Sequence, residues 1–264
     1  MNKNNRSVNS HSIDINADIG ESFGVYDLGM DEEIIKYISS ANIACGFHAG
    51  DPDVMNKTVD LAIANQVGIG AHPSFPDLQG FGRREMNFEP AEIKNLITYQ
   101  LGALDAFARS RNSHLQHIKP HGALYNMAAS NYEIARIIAR AIKEFDQNLI
   151  LLAMSGSEMY KAVQELNLRV AGEAFADRAY DQDGLLVSRK IKGAVLENPE
   201  EIQERAIRMI KEGEVETIEG EIINIQPDTI CVHGDNPKAI EIVKNLVSAL
   251  KSADIKIENL DTIV

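Results

Sequence analysis

Four apolar runs in this chain end in histidine beside glycine or proline. They read Ala-Asn-Ile-Ala-Cys-Gly-Phe-His48-Ala-Gly-Asp51-Pro, Val-Gly-Ile-Gly-Ala-His72-Pro, His-Ile-Lys119-Pro-His121-Gly and Thr-Ile-Cys-Val-His233-Gly-Asp235-Asn-Pro. Five of the seven histidines fall in these segments. Imidazole changes charge near neutral pH, so it can move protons, and its neutral form binds metals. Lys119 beside His121 could hold a carboxylate or an oxyanion, and a closed site shared with a histidine is expected to press its ammonium pKa downward. Proton transfer and anion stabilisation are the chemistry these residues suit.

Two further segments add carboxylates. In Asp14-Ile-Asn16-Ala-Asp18-Ile-Gly-Glu21, alternate residues of a strand share one face, so Asp14, Asn16 and Asp18 point the same way. Three polar groups on an inner face are costly unless they are paired or bind something. Asp18, nearest the carboxyl end, is the strongest candidate, and capping of the turn at Gly20 is the bland alternative. Glu173-Ala-Phe-Ala-Asp177-Arg178 offers Glu173 and a guanidinium that could fork a substrate carboxylate or pair within its own loop. Asp51 and Asp235 could cap helices instead of touching substrate. Cys45 reads as a core residue more readily than as a nucleophile, and Cys231 as core. Asp18, His48, His72 and His121 could ligate a metal, although no His-x-x-x-His or Cys-x-x-Cys spacing supports one. Gly80-Phe-Gly-Arg83-Arg84 suits a lid or a plain surface loop.

These groups must be brought together by the elements that carry them. Strands are expected at residues 12–19, 41–47, 67–71, 116–119, 149–154, 169–175 and 229–233. Helices are expected at 31–37, from Asp51-Pro52 to near Gly68, from Glu89-Pro90 onward, at 131–144, at 157–166, from Asn198-Pro199 to Gly213 and from Asn236-Pro237. Proline after a capping residue marks several of these starts, and Asn198 with Glu201 fits a capping box. The third helix shows an apolar stripe at Ile93, Leu96, Ile97, Leu101, Leu104 and Phe107. Residues 214–225 alternate as a small hairpin would, and 177–197 form an excursion of unassigned structure. Seven βα units imply a parallel sheet with right-handed crossovers. Polar clusters follow six of the seven strands. An open sheet gathers its site at one switch point, whereas a barrel gathers strand ends around a ring, so a TIM-like (β/α)7 barrel is expected.

Composition bounds the rest. With 264 residues, 44% of them hydrophobic and 25% charged, one large domain can bury a full core. Residues 1–11 are polar, without the apolar stretch of a secretory signal, and are expected to form a disordered tail before a single catalytic barrel over 12–264. A net charge of −13 argues against nucleic acid and anionic membrane as partners. Two cysteines make no disulfide framework, which fits the cytoplasm. No Gly-x-x-x-x-Gly-Lys-[Ser/Thr] phosphate loop, Gly-x-Gly-x-x-Gly or Gly-x-Ser-x-Gly is present.

The runs DINADIGESFG, SANIACGFHAGDP, GIGAHPSFPDLQGFGRR, YQLGALDAFAR, HIKPHGALYNMA, AGEAFADRAY and CVHGDNP together closely resemble the LamB/YcsF family, over nearly the whole chain. Members often carry cysteine where this chain has Ala17. The resemblance implies a barrel of the glycoside hydrolase/deacetylase type. It implies cleavage of 5-oxo-L-proline (pyroglutamate) to L-glutamate, coupled to ATP hydrolysis, in a complex with 5-oxoprolinase subunits B and C. ATP is then a cosubstrate of the complex, bound by another chain, and a divalent metal is left open. On this reading Asp18, His48 or His72 deprotonates water. Lys119, His121 and His233 meet developing charge and protonate the leaving nitrogen. Asn16, Glu21, Glu173, Arg178 and Asp235 bind substrate. The competing readings are a metal-dependent carbohydrate deacetylase and a non-catalytic regulatory component of a larger enzyme.

Overall fold

The computed structural model describes residues 11–232 and 237–264. Its strands are β1 (His11–Ile19), β2 (Ser40–Ala44), β3 (Gly68–His72), β4 (His117–Ile118), β5 (Ile150–Met154), β6 (Arg169–Phe175), β7 (Glu214–Glu216), β8 (Ile222–Asn224), β9 (Thr229–Val232) and β10 (Ile255–Ile257). Strands β1 to β6 pair in sequence order, all parallel, and β9 pairs with both β6 and β1. That double pairing closes a seven-stranded barrel. β10 adds to the amino-terminal half of β1, and β7 with β8 makes the expected antiparallel hairpin. Of the tail expected over residues 1–11, residues 1–10 lie outside the described residues, and His11 belongs instead to β1.

The helices are α1 (Asp31–Ile34), α2 (Pro52–Ala64), α3 (Pro90–Arg109), α4 (Gly122–Ser130), α5 (Tyr132–Phe145), α6 (Glu158–Glu165), α7 (Pro199–Lys211), α8 (Pro237–Ser252) and α9 (Leu260–Ile263). Their starts follow side-chain chemistry. The Asp51 carboxylate accepts from the amides of Asp53 and Val54, ahead of Pro52 at the first helical position. Glu89 and Glu92 form a reciprocal capping box on α3. Asn198 caps α7 by accepting from Glu200 and Glu201, so the cap is met while the box reading of Asn198 and Glu201 goes no further than that.

The alternation along β1 divides two environments. Ile13, Ile15, Ala17 and Ile19 are buried in the main apolar cluster, with Ile93, Ile97, Leu101 and Leu104 of α3 in the same cluster. Burying a side chain of this size is worth about 1.5–3 kcal/mol. Asp14, Asn16 and Asp18 point instead into the barrel, where they find polar partners. Oδ1 of Asp14 accepts from the hydroxyls of Ser39 and Ser40, each at 2.7 Å, and Oδ2 accepts from Thr229 at 2.5 Å. Burial of this carboxylate, only partly offset by those hydroxyls, raises its pKa to about 6.

The middle of the barrel is also polar. Asn42, Gly70 and His117 lie side by side in the register of β2, β3 and β4. Gly70 has no side chain, so His117 crosses over β3 and its Nε2 donates to Oδ1 of Asn42 at 2.8 Å. A Cβ on Gly70 would fall 1.9 Å from that Nε2. Burial lowers the His117 pKa to about 3, so its ring is neutral. At the amino end, Leu260 of α9 joins Ile150, Leu152 and Ala171 in a second, small apolar cluster.

Candidate active site at the carboxyl ends of the strands

Most site residues sit at or just beyond the carboxyl end of a strand, with Asn16 deeper in β1. β1 ends at Ile19, and Gly20, at φ +70°, turns the chain so that Glu21 faces back over the barrel mouth. The Gly20 amide donates to Asp31 at 2.8 Å, which fixes the turn. His48 lies between Gly46 and Gly50, both at positive φ, in the turn that Asp51 then converts into α2. His72 is the last residue of β3. Pro120 has no amide to donate, and β4 stops at Ile118, so Lys119 and His121 stand beyond the strand end. Glu173 lies near the carboxyl end of β6 and Cys231 in β9.

One half of the site is built on Lys119. Its Nζ lies 2.9 Å from Oε1 of Glu173, 3.0 Å from Oδ1 of Asp18, 3.0 Å from Sγ of Cys231 and 3.2 Å from Oδ1 of Asn16. Burial works to lower the Lys119 pKa, but Asp18, with Cys231 and Glu173, outweighs it, and the ammonium is held well above its ordinary value. The expected downward shift is therefore reversed, because carboxylates surround the amine more closely than imidazoles do. Asp18 is the counterpart. Burial tends to raise its pKa, yet His72 and Lys119 hold it well below the usual carboxylate range. Asn42 also donates to Asp18, at 2.9 Å, and Tyr125 of α4 donates to Oε2 of Glu173 at 2.7 Å.

The other half is a group of imidazoles. The rings of His48 and His121 stack at 3.9 Å with an interplanar angle of 5°, and His72 stands edge-on to both. Nδ1 of His72 meets the Lys119 carbonyl at 2.6 Å, and Nε2 of His121 meets the Phe81 carbonyl at 2.9 Å. A carbonyl only accepts, so both nitrogens carry hydrogen. The remaining nitrogens, Nε2 of His72 and Nδ1 of His121, face each other at 2.8 Å. Nε2 of His72 is also 3.3 Å from Oδ2 of Asp18. Glu21 Oε1 lies 3.4 Å from Nε2 of His48 and 3.9 Å from Nδ1 of His121. Burial, then the neighbouring imidazoles, lowers the pKa values of His48 and His121 well below the ordinary value, and burial raises that of Glu21.

The loop after β3 forms a hydrogen-bonded wall over this group. Gln100 of α3 clamps it by accepting from the Ser74 amide and donating to the Ser74 carbonyl, each at 2.9 Å. Asp77 bonds the Gly80 amide and the Arg84 side chain. The Phe81 ring sits edge-on to His48 and His121, and Arg83 lies over its face at 5.1 Å. Gly82, at φ +65°, has no room for a side chain: a Cβ would come 2.3 Å from Ser74 Oγ and 2.8 Å from His48 Cβ.

Asp18, Glu21, His48, His72, Lys119, His121, Glu173 and Asn16 are thus in one place. Arg178 is not available as expected. Its Nε and Nη2 donate to the carbonyls of Ala194 and Val187, at 3.2 and 2.6 Å, which pins the excursion after β6. His233 and Asp235 lie outside the described residues. Among possible metal ligands, Glu21 groups with His48, His72 and His121, while Asp18, whose Oδ1 takes Lys119 and Asn42, keeps its Oδ2 3.3 Å from Nε2 of His72. Cys45 is buried and its thiol is pushed up to about 12, against a nucleophilic role. Sequence reasoning missed Tyr125, Asn42 and His117 as supports of the site. The Gly68-Ile-Gly70 pattern was the available sign, since alternate glycines on an inner face make room for larger neighbours. A separate cavity of about 670 Å³, lined by Arg109, His114, Gln116 and Arg169 among others, opens at the amino ends of β4 to β6, away from these groups.

A closed parallel barrel with ionisable groups at its carboxyl mouth is the architecture of a TIM-barrel-type enzyme. A T48 deacetylase solved with substrate shares the fold at TM-score 0.51 and 13% identity, covering 96% of this chain and 90% of that one. Residues 13–264 match the LamB/YcsF family, and the chain belongs to it. A Clostridium beijerinckii protein named as the A-subunit of 5-oxoprolinase is 56% identical over 247 residues, which is 94% of this chain and 97% of that protein. The crystal structure of the lactam utilization protein from Thermus thermophilus superposes at TM-score 0.89, with 44% identity over 94% of this chain and 99% of that one.

Proposed function

We propose that this chain is the A-subunit of an ATP-dependent 5-oxoprolinase, a hydrolase that opens 5-oxo-L-proline to L-glutamate. The observation that carries the reading is similarity to proteins of that name over more than nine-tenths of the chain. An unstrained five-membered lactam resists water, so the carbonyl must be activated first. No phosphate loop is present in the sequence, which supports a division of labour. Partner subunits B and C activate the lactam with ATP, and this barrel completes ring opening. A cytoplasmic complex suits this chemistry.

With the lactam oxygen phosphorylated from ATP, water adds to the lactam carbonyl carbon, the C–N bond breaks and the ring nitrogen takes up a proton. The acyl phosphate left behind is cleaved by a second water to glutamate and phosphate. Asp18 accepts the proton from water. Its side chain is 18% exposed, against 4% for Lys119 and none for Glu173, so it is the member of that trio substrate can reach. Lys119 keeps it ionised and aimed. A carboxylate with so low a pKa is a weak base, which is consistent with a substrate already made electrophilic. Asp18 then returns the proton to the leaving nitrogen. Arg83, over Phe81 on the wall, takes the place of Arg178 as the cation set to meet the substrate carboxylate.

The test is turnover of 5-oxoproline by the purified complex with and without this chain. Full turnover in its absence overturns the reading. Asp18→Asn is expected to lower turnover at least about 100-fold, in line with loss of a general base; unchanged turnover would move the base elsewhere.

A further inference from the structure

The imidazole group presents a problem of proton counting that Lys119 and Asp18 do not solve. His72 and His121 each spend one N–H on a backbone carbonyl. Their other nitrogens, lone pairs in the neutral rings, meet at 2.8 Å. Two lone pairs repel unless something positive lies between or beside them. One extra proton on Nε2 of His72, with Oδ2 of Asp18 3.3 Å away as its counter-charge, would serve that pair. It would leave the rest of the group unexplained: among the described residues, neither ring nitrogen of His48 and not Oε1 of Glu21 has a hydrogen-bond partner, although all three atoms are buried, and the 3.4 Å approach of Oε1 to Nε2 of His48 is an ion pair only with a further proton on that ring. Unpaired buried polar atoms cost about 1–3 kcal/mol each. Four donors, one from each of Glu21, His48, His72 and His121, lie within 4.8 Å of one another.

We propose that Glu21, His48, His72 and His121 bind one divalent cation of the zinc class. The donors are Oε1 of Glu21, Nε2 of His72, Nδ1 of His121 and a ring nitrogen of His48. Three imidazoles and a carboxylate are a borderline nitrogen–oxygen set, suited to Zn²⁺ or Co²⁺ and poor for Mg²⁺ or Ca²⁺. Ligands at about 2.0–2.1 Å around a tetrahedral ion stand roughly 3.3 Å apart. The observed separations of 2.8, 3.4 and 3.9 Å bracket that spacing. The carbonyls of Lys119 and Phe81 act as outer partners that choose the tautomer and aim the free nitrogens inward. The Phe81 carbonyl is delivered by a residue at φ +54°, a conformation a bulky residue adopts at a cost. When bound, the ion supplies Lewis acidity beside Asp18. The site stands on geometry and does not depend on the ring-opening reading.

The experiment uses the full chain, stripped with chelator and dialysed, and reads no turnover. Calorimetric titration with ZnCl₂, with metal content by mass spectrometry, is expected to show one saturable site per chain. CoCl₂ is expected to give visible ligand-field bands that Zn²⁺ abolishes. X-ray absorption of the zinc form is expected to show nitrogen and oxygen at about 2.0–2.1 Å and no sulfur. Glu21→Gln and His72→Gln should each weaken binding by at least about 10-fold, the least that loss of even an outer partner costs. His114→Gln, outside the group, should leave it unchanged. No saturable uptake by the folded wild-type chain overturns the proposal. So does a sulfur ligand, which would place the ion at Cys45 or Cys231, and so does undiminished binding in both site variants. The wild-type measurements decide the matter even if a variant fails to fold.

Discussion

Nζ of Lys119 and Oδ1 of Asp18 face each other at 3.0 Å inside the barrel, and the same ammonium is shared with Glu173 at 2.9 Å. One cation therefore neutralises part of two carboxylates, and its loss leaves both exposed to a low-dielectric interior. Breaking such an arrangement from one side costs about 3–5 kcal/mol. Lys119→Met is expected to destabilise by that amount in urea melts. Adding Glu173→Gln should recover part of the loss, because one uncompensated charge is then removed. A double variant no more stable than Lys119→Met would show that the ammonium is not holding Glu173.

Gly70 makes room for the bond between His117 and Asn42. Gly70→Ala puts a methyl 1.9 Å from Nε2 of His117 and must displace the ring. A cost of about 1–3 kcal/mol is expected from overpacking. Gly102→Ala is the control, since nothing beyond its chain neighbours and its own helix backbone lies within 4 Å of the added carbon. In mid-helix that change should stabilise by about 0.5–1 kcal/mol. Thermal melts of both variants check the pair; equal shifts would refute the packing argument.

Asp14 gives a pH dependence of known sign. Its folded pKa is about 6 against 3.8 as the ordinary value. Between those values the folded chain holds a proton that the unfolded chain has lost. The group's contribution is thus most favourable below pH 3.8 and declines as pH rises to about 6, by about 3 kcal/mol in all. Asp14→Asn cannot titrate. Its stability relative to wild type should improve as pH rises from about 4.5 to about 6 and level off above. A flat difference across that window would contradict the assignment.

Gly82 tests the wall. Gly82→Ala drives a methyl toward Ser74 and His48 at a residue with φ +65°. Gly24→Ala has similar backbone strain, φ +57°, with nothing within 4 Å. Reconstituted 5-oxoproline turnover is expected to fall at least about 10-fold in the first variant, because small misplacements of reacting groups are costly, and to stay near wild type in the second. Equal losses would mean that backbone strain, and not contact with the histidines, sets the effect.

Arg83 separates binding from chemistry. Arg83→Ala should raise KM for 5-oxoproline by about 10- to 100-fold, the worth of a charge-assisted hydrogen bond, with little change in kcat. Steady-state kinetics decide it; an unchanged KM would remove Arg83 from substrate binding.

The sequence exposed some of this architecture and concealed some. The polar–apolar alternation of Asp14 to Asp18 is readable because a strand has two faces and only one can meet helices. Residues 169–175 are a strand as expected, bounded by loops at both ends. Helix α4 escaped, because Gly122–Ser130 is rich in alanine and buried on several sides, so no polar stripe marks its period. β10 escaped because three residues carry too little pattern. The strand-end histidines stood out by position, but their partners did not. Glu21 reaches His48 only through the turn at Gly20, and His72 and His121 take their orientation from the Lys119 and Phe81 carbonyls, which no side-chain pattern records. The direction of the Lys119 shift depended on which neighbours lie closer, and that is a property of the closed ring.

The hydrogen-bonded residues inside the barrel, Asp14, Asn16, Asn42, His117 and Thr229, also act as a ruler for strand alignment. Sliding β1 by a single position would turn Ile13, Ile15 and Ala17 inward and press three polar groups against the helices. An oily interior would tolerate several neighbouring alignments. This one penalises every offset but its own, so the chain closes its ring with the reactive ends level.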